Sequence, residues 1–207
     1  MHVRQIKVLT VDDHPLLREG IAAVIQGEAD MSVVGEAASG SEAMEAFDRL
    51  RPDVTLMDLQ MPDLNGIAVI GTIRREHPQA RIIVLTTFEG DVLARRAFKA
   101  GAAGYILKNM IRKELLDAIR AVHAGKRYIP QKIAAELAEH FAEDELSERE
   151  IEVLREVAGG KSNKMIASHL SISEATIKAH MQNIMFKLAA SDRTHAVGIA
   201  NARGYLI

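Results

Sequence analysis

Short aliphatic runs return five times in the first 125 residues, each followed by a longer amphipathic segment. The runs are Ile6–Val11, Met31–Ala37, Val54–Asp58, Arg81–Thr86 and Gly104–Leu107. They are rich in β-branched residues and nearly continuous in apolar character, the pattern of strands covered on both faces. Helical periodicity occupies about 16–26, 41–50, 65–77, 91–100 and 112–124. Five rounds of strand then helix predict an α/β domain with a parallel sheet, because parallel strands need crossover connections. Pro52, Pro62 and Pro78 fall in the joints rather than inside elements.

The pattern stops near Lys126. Gly125, Pro130 and the acidic run Glu143-Asp144-Glu145 flank a short helical stripe of Ile133, Leu137 and Phe141. That stripe is too narrow to fold alone and reads as a linker helix. Residues 147–207 carry no strand pattern. Ser147 with Glu150 three residues on is a capping box, opening a helix with Ile151, Leu154 and Ala158 on one face. A second helix, about 162–170, buries Ile166, Ala167 and Leu170, and Ser173 caps a third that runs to Leu188. Ser191 caps a fourth, to about Arg203. Four short helices with a brief turn between the second and third suit a helix-turn-helix module. The expected organisation is therefore a domain over 1–125, a linker over 126–146 and an all-α domain over 147–207.

Composition narrows the function classes. The 207 residues include no Cys, which excludes disulfides and Cys-based zinc sites. Aromatics are 4 % with no Trp, against proteins that stack single-stranded bases on aromatic platforms. The longest stretch without Asp, Glu, Lys or Arg is Leu64–Ile73, far short of a membrane span. The N-terminus lacks the apolar core of a signal peptide, so a soluble, cytoplasmic protein without membrane partners is expected. The formal net charge of −2 resolves by segment: 15 basic and 17 acidic residues in 1–125, 3 and 5 in 126–146, 8 and 6 in 147–207. A mildly basic end stands behind an acidic remainder.

Asp12 and Asp13 lie where the first run ends, and Asp58 where the third ends. In a doubly wound sheet the active crevice opens beyond the carboxyl ends of the strands, where strand order reverses. If the first and third strands are neighbours there, three carboxylates converge, which requires a cation or protons to neutralise them. Hard oxygen ligands with room for water suit Mg²⁺. Thr86 ends the fourth run and Lys108 the fifth. This inventory suits phosphoryl transfer to a carboxylate: Asp58 as nucleophile, Mg²⁺ and Lys108 stabilising the equatorial oxygens, Thr86 bonding the attached group. A single strand-end Asp is equally a helix cap; the full set is not. A metal-dependent phosphatase would use the same acids, but nothing suggests its substrate pocket. His14, beside Pro15 at a helix start, reads as a loop residue rather than a ligand.

These residues resemble a known family. V-D-D-H-P-L-L-R-E-G-I at 11–21, M-D-L-Q-M-P-D-L-N-G at 57–66, L-T-T-F at 85–88 and G-A-A-G-Y-I-L-K at 101–108 resemble the receiver domain of bacterial response regulators. The resemblance covers residues 4–125. It implies a flavodoxin-like strand order 2-1-3-4-5 and Asp58 as phosphoacceptor. It implies Asp12, Asp13 and the backbone carbonyl of Gln60 as metal ligands beside Asp58. Thr86 and Lys108 match the switch hydroxyl and the phosphate-binding Lys, and Tyr105 the aromatic that turns inward on activation.

On the helix 173–188, steps of 100° per residue place Ile177, Met181, Ile184 and Leu188 on a core face, with Ala175, Lys178, Ala179 and Gln182 opposite. A small residue beside Lys and Gln suits a surface that enters a major groove. Residues 161–188 hold four Lys and one Glu. A four-helix module with a solvated basic face has the same composition. L-S-E-R-E-I-E-V-L at 146–154, G-K-S-N-K-M-I-A at 160–167, S-E-A-T-I-K-A-H-M-Q-N-I-M-F-K-L at 173–188 and S-D-R-T-H-A-V at 191–197 resemble the LuxR/NarL-type DNA-binding domain. That resemblance implies Lys178, Ala179 and Gln182 as base-facing, and Asn163, Lys164, Ser173, Thr176, His180 and Lys187 as phosphate contacts. Gln182 replaces a Lys found in some members, so base preference does not carry over. Phe186 sits opposite the core stripe, where it either packs on the last helix or reaches DNA.

Together the resemblances imply an α/β receiver followed by an all-α LuxR-type module, in a regulator without enzymatic activity beyond assisting its own phosphorylation and dephosphorylation. A sensor histidine kinase would be the phosphodonor, Mg²⁺ the cofactor, double-stranded DNA the target and a phosphorylated homodimer the binding form. A transcription factor controlled by partner binding, with a vestigial receiver, is the alternative that the intact acid cluster opposes.

Overall fold

The computed structural model describes residues 5–140 and 145–206. Phe141, Glu143 and Asp144 of the expected linker lie outside the described residues. The chain divides into two compact units, residues 1–88 with 94–134 and residues 89–93 with 135–207.

The first unit is built on five parallel strands: β1 Ile6–Val11, β2 Met31–Ala37, β3 Val54–Asp58, β4 Ile82–Thr86 and β5 Gly104–Leu107. Their order is β2-β1-β3-β4-β5, and every neighbouring pair is parallel. All residues of β3, β4 and β5 are buried, so helices cover both faces of the sheet, as the uninterrupted apolar runs required. The crossovers carry α1 Pro15–Gln26, α2 Gly40–Leu50, α3 Gly66–Glu76 and α4 Asp91–Ala100. A single 3-10 turn, Lys108–Met110, leads into α5 Ile111–His123. On one face Val8, Leu56, Ile83 and Ile106 pack with Ile21 and Ile25 of α1 and Leu115, Ile119 and Val122 of α5. Local chemistry sets the boundaries. Pro15 opens α1, Ser39 accepts a hydrogen bond from Glu42 N at the start of α2, and Asn65 accepts one from Ile67 N at the start of α3. β1 and β2 slip register between Val8 and Leu9, a mid-strand bulge that leaves Val34 of β2 as the extra residue.

Two expectations about boundaries change. Lys108 does not close β5 but begins the 3-10 turn after Leu107. The segment expected to begin the linker is tied to the sheet: Tyr105 N donates to Tyr128 O at 2.9 Å and Tyr128 N to Ala103 O at 3.1 Å, a parallel bridge that covers the exposed edge of β5. The short helical stripe forms α6 Gln131–Glu139, with Ile133 buried and Leu137 half-buried.

The second unit holds α7 Glu148–Ala158, α8 Asn163–His169, α9 Glu174–Lys187 and α10 Arg193–Arg203. The capping box forms as read: Ser147 accepts from Glu150 N while Glu150 accepts from Ser147 N at 2.7 Å. The core gathers Ile151, Leu154, Ile166, Ile177, Ile184 and Ala200. Ala158, expected on the core face of α7, is exposed; Val153 and Val157 take the buried positions beside Ile151 and Leu154. The cap of α10 is Asp192 rather than Ser191. Asp192 Oδ1 accepts from His195 N at 2.8 Å, whereas the Ser191 hydroxyl engages Asp192 Oδ2 and His195 Nδ1 one residue upstream. Between α8 and α9 the chain turns within Ser171 and Ile172, with Ser171 left-handed at φ 54°.

Candidate functional site

The carboxyl ends of β1, β3, β4 and β5 bring one polar cluster together. Asp12 follows β1 and is fully buried; Asp58 ends β3 at 2 % exposure. The β1–β3 pairing carries Val11 beside Met57, which sets the two acids side by side. Lys108 Nζ stands 2.7 Å from Asp12 Oδ2 and 2.8 Å from Asp58 Oδ2. Burial pushes the Asp58 carboxyl up, with Lys108 pulling it back and Asp12 adding to the rise. For Lys108 burial alone would favour the neutral amine, but hydrogen bonds to Asp12 and Asp58 outweigh it and raise the ammonium. The site thus holds one fixed positive charge against a crowd of carboxylates.

Asp12, Asp13 and Asp58, with His14, each offer a ligand atom within 4.8 Å of the others. A set dominated by carboxylate oxygens fits a hard divalent cation. Gln60 N donates to Asp58 Oδ1 at 3.2 Å, which pins the loop after β3 over the acid. Thr86 ends β4, is buried, and its hydroxyl accepts a hydrogen bond from Phe88 N at 3.2 Å. Tyr105, expected to turn inward on activation, already stands inward in this structure: it is fully buried, and its hydroxyl donates to Phe88 O at 2.9 Å. Both side chains therefore grip the backbone of one residue, Phe88.

Arg18 and Gly66 beside this cluster were missed by sequence reasoning, while His14 lies in the loop where it was read. His14, read as a loop residue, places Nδ1 2.7 Å from Asp13 Oδ1 and 3.3 Å from Asp12 Oδ1. Arg18 donates from Nη1 to Asp12 O at 2.6 Å and braces the acid loop from the first turns of α1. The only sequence signal for Arg18 was its spacing, four residues after His14 on the helix. Gly66 is the tightest constraint: a Cβ there would stand 2.2 Å from Asp58 O and 2.8 Å from Leu59 Cα. The start of α3 approaches the site backbone only because that side chain is absent.

In the second unit α9 presents Ala175, Lys178, Ala179 and Gln182 to solvent while Ile177, Met181, Ile184 and Leu188 are buried. Lys164 is exposed at the start of α8, and His180 is half-buried. Ser173 and Thr176 hydroxyls meet at 2.8 Å at the N-terminus of α9. Asn163 Oδ1 accepts from Arg193 Nη1 at 3.3 Å. Lys187, expected as a phosphate contact, donates from Nζ to Glu150 Oε2 at 2.9 Å and to Glu145 O at 3.1 Å. Phe186 is 87 % exposed and does not pack on α10. It forgoes the roughly 1.5–3 kcal/mol that burial of such a side chain supplies.

Comparison with known proteins places both units. Residues 8–120 match the family model for the response regulator receiver domain, and residues 144–200 that for the luxR family of bacterial regulatory proteins. The response regulator protein VraR of Staphylococcus aureus is 39 % identical over 93 % of this chain and 94 % of its own length. The transcriptional regulatory protein YxjL of Bacillus subtilis is 39 % identical over 99 % of both chains. Among solved structures, RcsB from Salmonella enterica serovar Typhimurium, bound to a promoter in the presence of the phosphomimetic BeF3-, superposes with a TM-score of 0.74. It is 28 % identical and the match covers 96 % of this chain and 99 % of that one.

Proposed function

This chain belongs to the DNA-binding response regulators in which a receiver domain is joined to a LuxR-family DNA-binding domain, and from that premise we propose that phosphorylation of Asp58 controls its dimerisation and its action on transcription. The observation that carries the reading is the single cluster of Asp12, Asp58 and Lys108 at the carboxyl ends of the strands. In this reading residues 1–125 are the receiver, 126–146 the linker and 147–207 the DNA-binding domain, in a cytoplasmic protein.

A sensor histidine kinase supplies the phosphoryl group. The P–N bond of its phosphohistidine breaks as a bond forms to an Asp58 carboxylate oxygen, in line. Asp12, Asp13, Asp58 and the Gln60 carbonyl would hold Mg²⁺, which when bound supplies positive charge to the equatorial oxygens. The Lys108 ammonium, now shared by Asp12 and Asp58, follows the phosphoryl oxygens once Asp58 carries the acyl phosphate. The Thr86 hydroxyl turns to donate to one of them and gives up Phe88 N. Phe88 is held from its other side by the buried Tyr105 hydroxyl, so the segment leaving β4 rearranges. The phosphoryl group acts on the DNA-binding domain only through such differential contacts.

A homodimer then presents two copies of α9, with Lys178, Ala179 and Gln182 toward base edges and Asn163, Lys164, Ser173, Thr176 and His180 toward phosphates. Lys187 reaches a phosphate only by leaving Glu150. Incubation with acetyl phosphate and Mg²⁺, followed by intact mass and selection of binding sites from a random DNA pool, tests the reading. Wild type gains one phosphoryl group and dimerises on a two-half-site sequence; Asp58→Ala does neither. Equal dimerisation and DNA binding by Asp58→Ala with a phosphomimetic would overturn the mechanism.

A further inference from the structure

The opposite end of the receiver sheet, where β4 and β5 begin, holds a cavity of about 290 Å³ framed by residues 78–81, 101–103 and 125–127. Four cations line it, Arg74, Arg81, Lys126 and Arg127, and no Asp or Glu does. None of the four has a carboxylate partner among the described residues. Basic composition does not explain this, since the chain carries 26 Lys and Arg against 28 Asp and Glu. A solvated face normally interleaves the two signs; here four like charges share one cavity, and an anion is what relieves their repulsion.

Two of the cations are held in place. Arg74 Nη1 donates to the carbonyls of Pro78 and Ala80, the latter at 2.9 Å. Its remaining N–H groups stay available to a ligand. Gly101, at φ 108°, makes that posture possible: a Cβ there would lie 2.7 Å from Cγ and Nε of Arg74. Arg127 lies over the Phe98 ring, Cζ 6.0 Å from its centroid. Phe98 and Val122 give the cavity an apolar wall. Guanidinium forks match tetrahedral oxyanions bidentately, and the volume is near the roughly 300 Å³ at which small-molecule pockets begin.

We propose that this cavity is an anion site for a small phosphate-bearing molecule, remote from Asp58. The source is either a free inorganic phosphate or the phosphate of an organic ester such as a nucleotide. Titration calorimetry on the full chain, with chelator present so that no metal carries phosphate to the Asp58 cluster, uses inorganic phosphate, pyrophosphate and AMP as probes. Saturable binding of one probe per chain is expected, weakened about tenfold or more in Lys126→Gln/Arg127→Gln. Both positions are exposed, and an unchanged far-UV spectrum and unfolding midpoint verify that the variant folds. AMP binding more tightly than phosphate assigns the wall to an organic group; equal affinities assign the site to the phosphate alone. Absence of saturable binding overturns the proposal, as does undiminished binding by the double variant. A loss in Lys164→Gln instead puts the anion on the DNA-binding unit and overturns it too. So does duplex DNA binding that the double variant weakens while no small phosphate binds.

Discussion

Asp58 is buried at 2 % exposure and shares its one ammonium partner, Lys108, with Asp12. Ionised Asp58 is therefore a burden on the folded state, because burial makes its charge less favourable than in water. Asp58→Asn in metal-free buffer should raise the unfolding midpoint by a few degrees. A midpoint equal to or below wild type would show that Lys108 already compensates the acid. Lys108→Ala should slow acetyl-phosphate labelling of Asp58 by about tenfold or more, read by intact mass, because the equatorial oxygens lose their fixed cation. In the DNA-binding unit Lys178 and Lys164 are both exposed but differ in position on their helices. Lys178→Ala should cost about 1–3 kcal/mol on the selected site and little on random DNA, whereas Lys164→Ala should weaken both alike. Equal losses for both variants on both DNAs would contradict the assignment. Asp12, Asp58 and Lys108 were legible because each stands at, or one residue beyond, the end of an apolar run. His14 and Arg18 were not, since their contact with the acids depends on how Pro15 launches α1.

At the scale of elements, caps decide much of what the sequence pattern leaves open. β3, β4 and β5 could be read because burial on both faces leaves their runs nearly all apolar, and β1 and β2 keep enough of that pattern around Lys7 and Glu36 to be recognised. The start of α10 could not, because Ser191 and Asp192 both have capping side chains and only the geometry chooses between them. Asp192→Ala should cost about 1 kcal/mol in urea unfolding, and Ser191→Ala clearly less. Likewise Ala158 and Val157 both fit a helical stripe, and packing selected Val157. Glu150 adds a pH dependence to α7. Burial alone would raise its carboxyl, but the Ser147 backbone N–H, Lys187 and the Ser147 hydroxyl lower it below the ordinary 4.5. A depressed carboxylate stabilises the fold fully above its unfolded value and loses that contribution as pH falls through the folded one. Circular dichroism melts of wild type should therefore lose stability below about pH 4.5 more steeply than those of Glu150→Gln.

Over the whole molecule the charge is divided unevenly, and the 147–207 segment holds 8 basic and 6 acidic residues. Lys187 is also engaged by Glu150, which leaves fewer cations for phosphates. The affinity of a single chain for random DNA should be weak and should fall further with salt, with a shallow log–log slope that steepens on dimerisation. A steep slope from the unphosphorylated chain would mean that other cations join the contact. The domain plan was legible from the switch in periodicity near Lys126, but the strand order rested on resemblance, since spacing alone cannot say which strand lies in the middle. That order has a consequence in time. β1 leaves the ribosome first yet becomes an inner strand, with β2 on one side and β3, made more than forty residues later, on the other. The nascent sheet cannot close until β3 and its neighbours emerge, while the four helices of the second unit draw mostly on near neighbours in the chain. Refolding after dilution from urea should accordingly show helix signal from the late-made unit returning first, and the sheet, begun earliest in synthesis, finishing last.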